Sequence, residues 1–541
     1  MSDRTDPGRT EKDASQDAVA HHLDPRRWWA LVIIGGTQLM VILDATIVNV
    51  ALPHASAALE IAPADRQWLV TAYALPFGAL LLLGGRIADY IGRKRMLIIA
   101  LSGFAIASAI GGAAQSPGML FAARALQGVF GAIMAPAALA LVTVTFIEAK
   151  ERAKAFAVFG AIAGGGAAIG LVLGGVLTEY VDWRWCLFVN IPVAVIAAGF
   201  AIPVLRESRA PSNGHYDVLG AILATGGLAA IVWGFTRAID HSWGSIDVLG
   251  WLLGGLVLIV LFVVRERATD NPLLPLRIFA NRNRTGAYVV GLLVGTGLFG
   301  FFLFITYFLQ YVKQYTPLEA GLAFLPFSAG VIVGAGVGSQ LVLKVGPRVI
   351  VPAGLVLGVI GLAWLGTIDL DSSYAGHILP AQLIISVGMG FIFMSTTNVA
   401  LVGISPDDAG VASAMVNTAQ QIGGSLGTAL LSTIAATATA TYAAANPPQI
   451  PPGISPAQLS AAQETLVSLQ SSTDASAFQA AIEANPAVGV LAQALNAANV
   501  DGYGVAFLWS AGLFALAGVA SLLLIHAGRQ DVPQGEHTAM I

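Results

Sequence analysis

Long apolar runs dominate this chain. Segments of the length that spans a bilayer, about 20 residues, lie near 29–52, 67–86, 96–114, 118–142, 156–177, 186–205, 217–237, 248–264, 286–311, 319–341, 349–367, 378–402, 409–436 and 503–526. In lipid every backbone N–H and C=O must be satisfied within the structure, so runs of this length fold as helices. Fourteen such spans define an all-α polytopic membrane protein. Charged residues make up only 11% of the chain, against roughly 25% in soluble domains. The net charge of −4 carries little meaning here, because the position of each charge relative to the bilayer decides its effect. A single cysteine, Cys186, excludes an intrachain disulfide.

An even number of spans puts both termini on one side. With the N-terminus inside, the 27 Lys and Arg residues fall in cytoplasmic tails, loops or helix ends, except Arg66, Arg184, Arg237 and Lys313 outside and Arg124 within a span. That distribution obeys the positive-inside rule. Trp28, Trp29, Trp68, Trp183, Trp185 and Trp243 fall at the expected interfaces, where amphipathic rings settle. The expected setting is therefore the cytoplasmic (inner) membrane with cytoplasmic termini. Residues 1–27 are polar, contain no apolar run that would serve as a cleavable signal, and read as a disordered cytoplasmic tail. The connection 437–502 has no Lys or Arg and is rich in Ala, Pro, Gln, Asn and Ser. It reads as a long external loop with one or two surface helices, Pro456–Ser471 and Ala475–Glu483.

A weak repeat divides the chain. Gly84–Arg95 (GGRIADYIGRKR) follows the second span, and Gly338–Arg348 (GSQLVLKVGPR) follows the tenth, with Gly92 answering Gly346 and Lys94 answering Arg348. Duplicated halves are how many secondary transporters are built, with substrate between them near the midplane. The expected layout is an N-terminal six-helix bundle over 28–206, an inserted pair of helices over 207–266, and a C-terminal six-helix bundle over 267–527. A cytoplasmic tail, 528–541, ends the chain.

Gly85-x-x-Ala88-Asp89-x-x-Gly92-Arg93-Lys94-Arg95 resembles the signature loop of the major facilitator superfamily. Leu43–Pro53 (LDATIVNVALP) and Trp183–Pro192 (WRWCLFVNIP) resemble its fourteen-helix drug:proton antiporter branch, the EmrB/QacA type. Arg124-x-x-Gln127-Gly128, Tyr307–Pro326 and Gly410–Leu431 also fit. The resemblance covers most of residues 28–436 and implies the major facilitator fold. One departure is local. That branch usually carries Gly-Pro followed by Gly-Gly near the end of the fifth span, but in Gly160–Gly175 (GAIAGGGAAIGLVLGG) Leu171 stands where the proline would be. Gly170, Gly174 and Gly175 still permit close helix approach, whereas the proline's bend is absent.

Asp44 is the one carboxylate deep inside an apolar span, Ala30–Leu52. A charge at mid-membrane costs at least about 2.5–3.5 kcal/mol, so an intramembrane acid is a hypothesis about proton or cation movement. An acid that takes a proton on one side and releases it on the other is what proton coupling needs. The alternatives are direct contact with a cationic substrate and a structural hydrogen bond. Arg124 enters the fourth span at a similar depth, and the resemblance implies that the first and fourth helices are neighbours. Pairing of Asp44 with Arg124 would make a switch that a proton breaks. The alternatives are a permanent ion pair and an arginine satisfied by helix carbonyls.

Gly85, Asp89, Gly92, Arg93, Lys94 and Arg95 read as a gating loop and also as a topogenic anchor. Asp89 sits at a helix C-terminus, where the dipole repels an acid. Its expected partners are Arg93 and, by the family pattern, the helix start near Ser405–Ala409. Asn417, Gln420 and Gln421 share a helical face. With Gln127, Asn398 and Tyr307 they are the candidate substrate-cavity residues, against the alternative of helix-to-helix hydrogen bonding. Ser395, Thr396 and Thr397 add further polar groups nearby. Phe301, Phe302, Phe304, Tyr307 and Phe308 either line an apolar pocket or pack.

No Gly-x-x-x-x-Gly-Lys-Ser/Thr phosphate loop occurs, so an ion gradient is the expected energy source. No His/Cys/Glu cluster has metal-ligand spacing, and neither cofactor nor metal is expected. The chain reads as a transporter, not an enzyme: a proton-coupled exporter of amphiphilic or cationic compounds. Export of an endogenous lipid or metabolite and proton-coupled nutrient uptake are the alternatives within transport. A receptor or lipid-modifying enzyme would need a catalytic constellation or an ordered external domain. Expected partners are the small-molecule substrate, protons and the bilayer. Nucleic acid is not expected, and a monomer suffices.

Overall fold

The structure, a computed structural model, describes residues 26–62, 65–146, 148–209, 217–239, 241–269, 272–404, 406–451, 454–469 and 475–531. Among the described residues the fold is all-helical, with no strand. Six helices come first: α1 Arg27–Ala58, α2 Trp68–Ile91, α3 Arg93–Gly112, α4 Pro117–Thr145, α5 Ala149–Tyr180 and α6 Trp185–Val204. Then follow α7 Val218–Arg237, α8 Ile246–Ala268, α9 Arg282–Val312, α10 Pro317–Val345, α11 Pro347–Leu365, α12 Tyr374–Ala400 and α13 Pro406–Ala445. The chain ends with α14 Pro456–Leu469, α15 Ala475–Ala484 and α16 Pro486–Leu524.

Among the described residues thirteen helices are long and apolar enough to cross a membrane. In α5 the apolar stretch so described is shorter, Gly165–Tyr180. The whole of α5 has 32 residues, about 48 Å at 1.5 Å per residue. The fourteenth expected span is therefore also a helix of membrane-crossing length.

Helix starts follow local chemistry. Ser116 Oγ accepts from Met119 N (3.3 Å) ahead of Pro117, and Thr316 and Glu319 form a reciprocal capping box at the start of α10. Both arrangements satisfy the N–H groups that a helix start leaves unpaired.

Packing sorts the helices. α2 packs on α4, α3 on α4 and α6, and α1 on α5 and α6. Later in the chain α9 packs on α13 and α16, α12 on α10 and α11, and α16 on α11 and α13. α7 and α8 pack on each other, and α7 also touches α2 and α13. The two groups meet where α2 faces α13 and α5 faces α10.

The internal repeat has a structural counterpart. Gly92 (φ 127°) and Gly346 (φ 81°) both occupy the left-handed region, which glycine enters without steric penalty. In each half the chain leaving the last helix of the group returns to the next helix start. Arg93 N donates to Ser208 O (3.0 Å), and Arg348 N donates to Ala527 O (3.2 Å). The face carrying these loops is called the basic face below, and its counterpart the opposite face.

The connection 437–502 departs from the expected irregular loop. α13 continues to Ala445 and α16 begins at Pro486, giving helices of 40 and 39 residues. These run about 60 Å each, twice the roughly 30 Å hydrocarbon core. The segment is alanine-rich, and Thr437 and Thr441 hydroxyls bond back to the carbonyls four residues earlier (2.8 Å each). High helix propensity carries both helices past the point where hydropathy falls. α14 and α15 agree closely with the expected surface helices, and an apolar cluster of Ala462, Leu466, Ala487, Val488 and Ala492 joins α14 to α16. The expected tails lie almost wholly outside the described residues.

Candidate functional site

Asp44 is completely buried, and Arg124 is 2% exposed. Arg124 Nη1 donates to Asp44 Oδ2 at 2.6 Å. The other carboxylate oxygen, Oδ1, accepts from Gln127 Nε2 (3.0 Å) and Asn190 Nδ2 (2.8 Å). Gln127 ties the network together, its Oε1 accepting from Arg124 Nη1 (3.0 Å) and its Nε2 donating to Ser108 Oγ (2.8 Å). Arg124 Nε donates to Leu69 O (3.2 Å), and its guanidinium stands 4.5 Å over the Tyr73 ring.

Five helices contribute. Asp44 comes from α1, Leu69 and Tyr73 from α2, Ser108 from α3, Arg124 and Gln127 from α4, and Asn190 from α6. A buried ion pair survives only when its remaining lone pairs and protons are also bonded, and this one is bonded on both sides. An apolar cleft lined by Val48, Ala51, Leu69, Leu120, Trp183 and Leu187 reaches Arg124.

The structure brings Asp44 and Arg124 together as the sequence suggested. Gln127, expected on the cavity wall, is placed here fully buried in the network, because its i, i+3 relation to Arg124 turns it toward the same carboxylate. Sequence reasoning missed Asn190, Ser108 and Tyr73. The available signal was a lone amide at the start of the apolar run 186–205, next to the expected Asp44 depth.

At the basic face Asp89 Oδ1 accepts from Arg93 Nε at 2.8 Å. The other expected partner falls outside the described residues at Ser405 and on helix residues whose side chains are not described. A further carboxylate was not foreseen. Glu207, beyond the end of α6, accepts from Lys94 N (3.1 Å) and Arg95 N (3.2 Å), and Lys94 Nζ donates to Ile202 O (2.6 Å). An acid at a helix N-terminus is favoured by the dipole and by the unpaired N–H groups. A Gly92 side chain would meet Glu207 Oε1 at 2.6 Å. Gly85 packs against Pro136 of α4.

The α5 glycines serve close approach. A side chain at Gly170 would strike Thr46, and one at Gly174 would lie 2.7 Å from Ile47 O, both on α1. Gly175 faces the Pro317–Leu318 backbone of α10, and Gly321 of α10 faces the Leu171 carbonyl. Leu318 N also donates to Glu179 Oε2 (3.0 Å), and Gln310 Nε2 donates to Val50 O (3.0 Å). Together these contacts hold the two groups of helices tightly at the opposite face. Leu171 is 2% exposed, so the residue replacing the expected proline is part of that seam.

In the later group Asn417 is exposed, while Asn398, Gln420, Gln421 and Tyr307 are half-buried. Asn398 Nδ2 reaches Met394 Sδ (3.6 Å) within its own helix, and Gln421 packs against Gly78 of α2, across the two groups. Phe301, Phe304 and Phe308 are fully packed. Among the described residues no group of three or more His, Cys, Asp or Glu is placed to hold a metal ion.

A multi-pass helical membrane protein of two packed helix groups, the first holding a buried charge network, is a transporter in class and not an enzyme. The chain belongs to the Major Facilitator Superfamily, whose family profile matches residues 34–428. It is similar to the puromycin resistance protein pur8 of Streptomyces alboniger, 46% identical over 77% of this chain and 83% of that protein. The cephamycin export protein CmcT of Amycolatopsis lactamdurans is 38% identical over 74% of this chain and 84% of that protein. The fold is shared with a bacterial homologue of the human lysosomal transporter Spinster, solved in an inward-facing, unoccupied conformation. That likeness has a TM-score of 0.64 at 15% identity and covers 94% of this chain and 99% of that one.

Proposed function

We propose that this protein is a proton-coupled exporter of amphiphilic, drug-like small molecules, of the fourteen-helix drug:proton antiporter type. It works in the cytoplasmic membrane with both termini inside. The bundles 28–206 and 267–527 would rock against each other about a central cavity lined by Asn398, Asn417, Gln420, Gln421 and Tyr307. Resistance and export by the similar proteins named above support the drug-like substrate class.

The observation that carries the coupling is the sealed network around Asp44. Its negative charge is what holds Arg124, Gln127 and Asn190 in place. A proton on Asp44 cancels that charge and releases Arg124, so protonation changes the packing of five helices at once. The Asp89–Arg93 loop acts as the gate on the basic face, and the α5–α10 seam as the gate on the opposite face. Rocking breaks one set of contacts as the other forms. A bilayer potential adds about 2.3 kcal/mol per charge per 100 mV to whatever the pH gradient supplies.

Substrate flux in inverted vesicles with an imposed pH gradient tests the reading. The expected result is uptake driven by an acidic lumen in the wild type and loss of gradient dependence in Asp44→Asn. Flux in the opposite sense would replace export by uptake. Undiminished gradient-driven flux in Asp44→Asn would remove the carboxylate from the coupling path.

A further inference from the structure

The second half holds a cluster of rings that differs from the packed phenylalanines beside it. Tyr307 and Tyr311 of α9 lie 5.7 Å apart, and Tyr503 of α16 lies 6.3 Å from Tyr307. Phe304 closes the group, 5.5 Å from Tyr503 and 6.5 Å from Tyr307. From the other group of helices Arg66 brings its guanidinium 5.3 Å over the Tyr311 ring. It stands within electrostatic reach of all three tyrosines.

Two further observations mark the place. The three tyrosines are only half-buried although Phe304 beside them is 2% exposed, and among the described residues their hydroxyls have no hydrogen-bond partner. Their hydroxyls are also not among the fully enclosed unpaired atoms, so each keeps surface that a small molecule can reach. Buried tyrosine hydroxyls usually find a partner. The backbone carrying Tyr311 also leaves α geometry for one π-helical turn, Phe308–Val312, a distortion frequent at functional sites.

We propose that Tyr307, Tyr311 and Tyr503, with Phe304 and Arg66, form a binding chamber for flat aromatic compounds that carry oxygen substituents. Ring faces supply stacking, and each hydroxyl donates to a carbonyl or accepts from a ligand hydroxyl. A plain hydrocarbon ring would leave all three hydroxyls unpaired, which a site built for hydrogen bonding penalises. The chamber names a substrate class for the transporter reading above and rests on that reading for its physiological meaning. Its position between the two groups, near the opposite-face seam, lets an occupant feel their relative movement.

Equilibrium binding to the full chain in lipid nanodiscs, with no gradient, provides the test. The probes are a dihydroxyanthraquinone sulfonate and anthracene sulfonate, alike in charge and in their fused three-ring frame. The wild type is expected to bind the oxygenated probe about tenfold or more tighter. Tyr307→Phe/Tyr311→Phe/Tyr503→Phe keeps the rings, so it should erase that preference and leave anthracene sulfonate within about twofold. The three single Phe variants, each lacking one oxygen, give the same reading in smaller steps if the triple variant does not fold. Equal affinities in the wild type, or a preference that survives the triple substitution, would overturn the chamber. Loss of pH-driven flux with the preference intact would count against proton coupling alone and leave the chamber standing.

Discussion

At the scale of single residues the Asp44 network is a problem in pairing. Removing one member of a buried pair strands the other, at about 3–5 kcal/mol, whereas replacing both with apolar groups is often close to neutral. Arg124→Leu is therefore expected to lower stability by about that amount. Asp44→Leu/Arg124→Leu should cost less than the single change, although Gln127 and Asn190 then lose a partner. Thermal unfolding of the purified variants decides it, and a double variant as damaged as the sum of the singles would deny the coupling. A surface carboxylate offers a contrasting case. The Ser372 hydroxyl beside Asp369, 2.7 Å from Oδ1, holds that carboxyl below its ordinary value of 3.8. A depressed folded value contributes stability that is fully present above 3.8 and is lost as pH falls through the lower folded value. The stability difference between wild type and Ser372→Ala should thus be largest at neutral pH and shrink in strong acid to what the bond from Asp369 N to Ser372 Oγ (3.0 Å) contributes, as unfolding midpoints across pH would record. Asp44 was legible in the sequence because a charge in an apolar run is conspicuous. Asn190 and Ser108 were not, since small polar residues are common in membrane helices and only the fold brings them to the carboxylate.

Among elements, the loop between α2 and α3 shows why its glycine is required. Gly92 at φ 127° lets the chain turn so that the α3 N-terminus presents two N–H groups to Glu207. Alanine there meets two objections, a left-handed backbone and a collision with that carboxylate. Backbone strain of this kind costs about 1–3 kcal/mol. Gly92→Ala is expected to lose at least that much in thermal unfolding, and combining it with Glu207→Ala should relieve at most the collision while giving up the carboxylate's bonds to Lys94 N and Arg95 N. Full recovery in the double variant would show that the backbone conformation is unimportant. The motif's glycine and charges were readable from the sequence. Glu207 was not, because it lies more than a hundred residues from the helix it caps. The extended α13 and α16 were missed for another reason. Hydropathy marks where a helix leaves lipid, and these two continue into water on alanine propensity and on packing against each other, α16 also on apolar contacts with α14.

For the molecule as a whole, α7, backed by α8, spans the boundary between the two helix groups. Thr236 Oγ1 of α7 accepts from Gln67 Nε2 (3.0 Å) just ahead of α2, and Thr433 Oγ1 of α13 donates to Phe235 O (2.7 Å). Trp233 of α7 also sits between Trp68 and Trp251, at 5.7 and 6.5 Å. One helix is thus bonded to both groups on the face where α5 and α10 are already closed. Opening that face requires α7 to release one side. A net hydrogen bond contributes about 1 kcal/mol, and opening breaks one of the two, so removing both should favour the open form by about 1 kcal/mol, a population shift of roughly fivefold. The composition of α7 gave no hint of this role, because the apolar residues that pack it against α2 and α13, Val232 with Leu75 and Ala429, look like those of any membrane helix, and the polar contacts come from one amide, two hydroxyls and a backbone carbonyl. Spin labels at the exposed positions Glu60 and Ala444, one in each group, report the separation by pulsed electron paramagnetic resonance. Thr236→Val/Thr433→Val should raise the long-distance population relative to wild type. An unchanged distribution would mean that α7 rides with one group throughout and that the α5–α10 seam alone keeps the face shut.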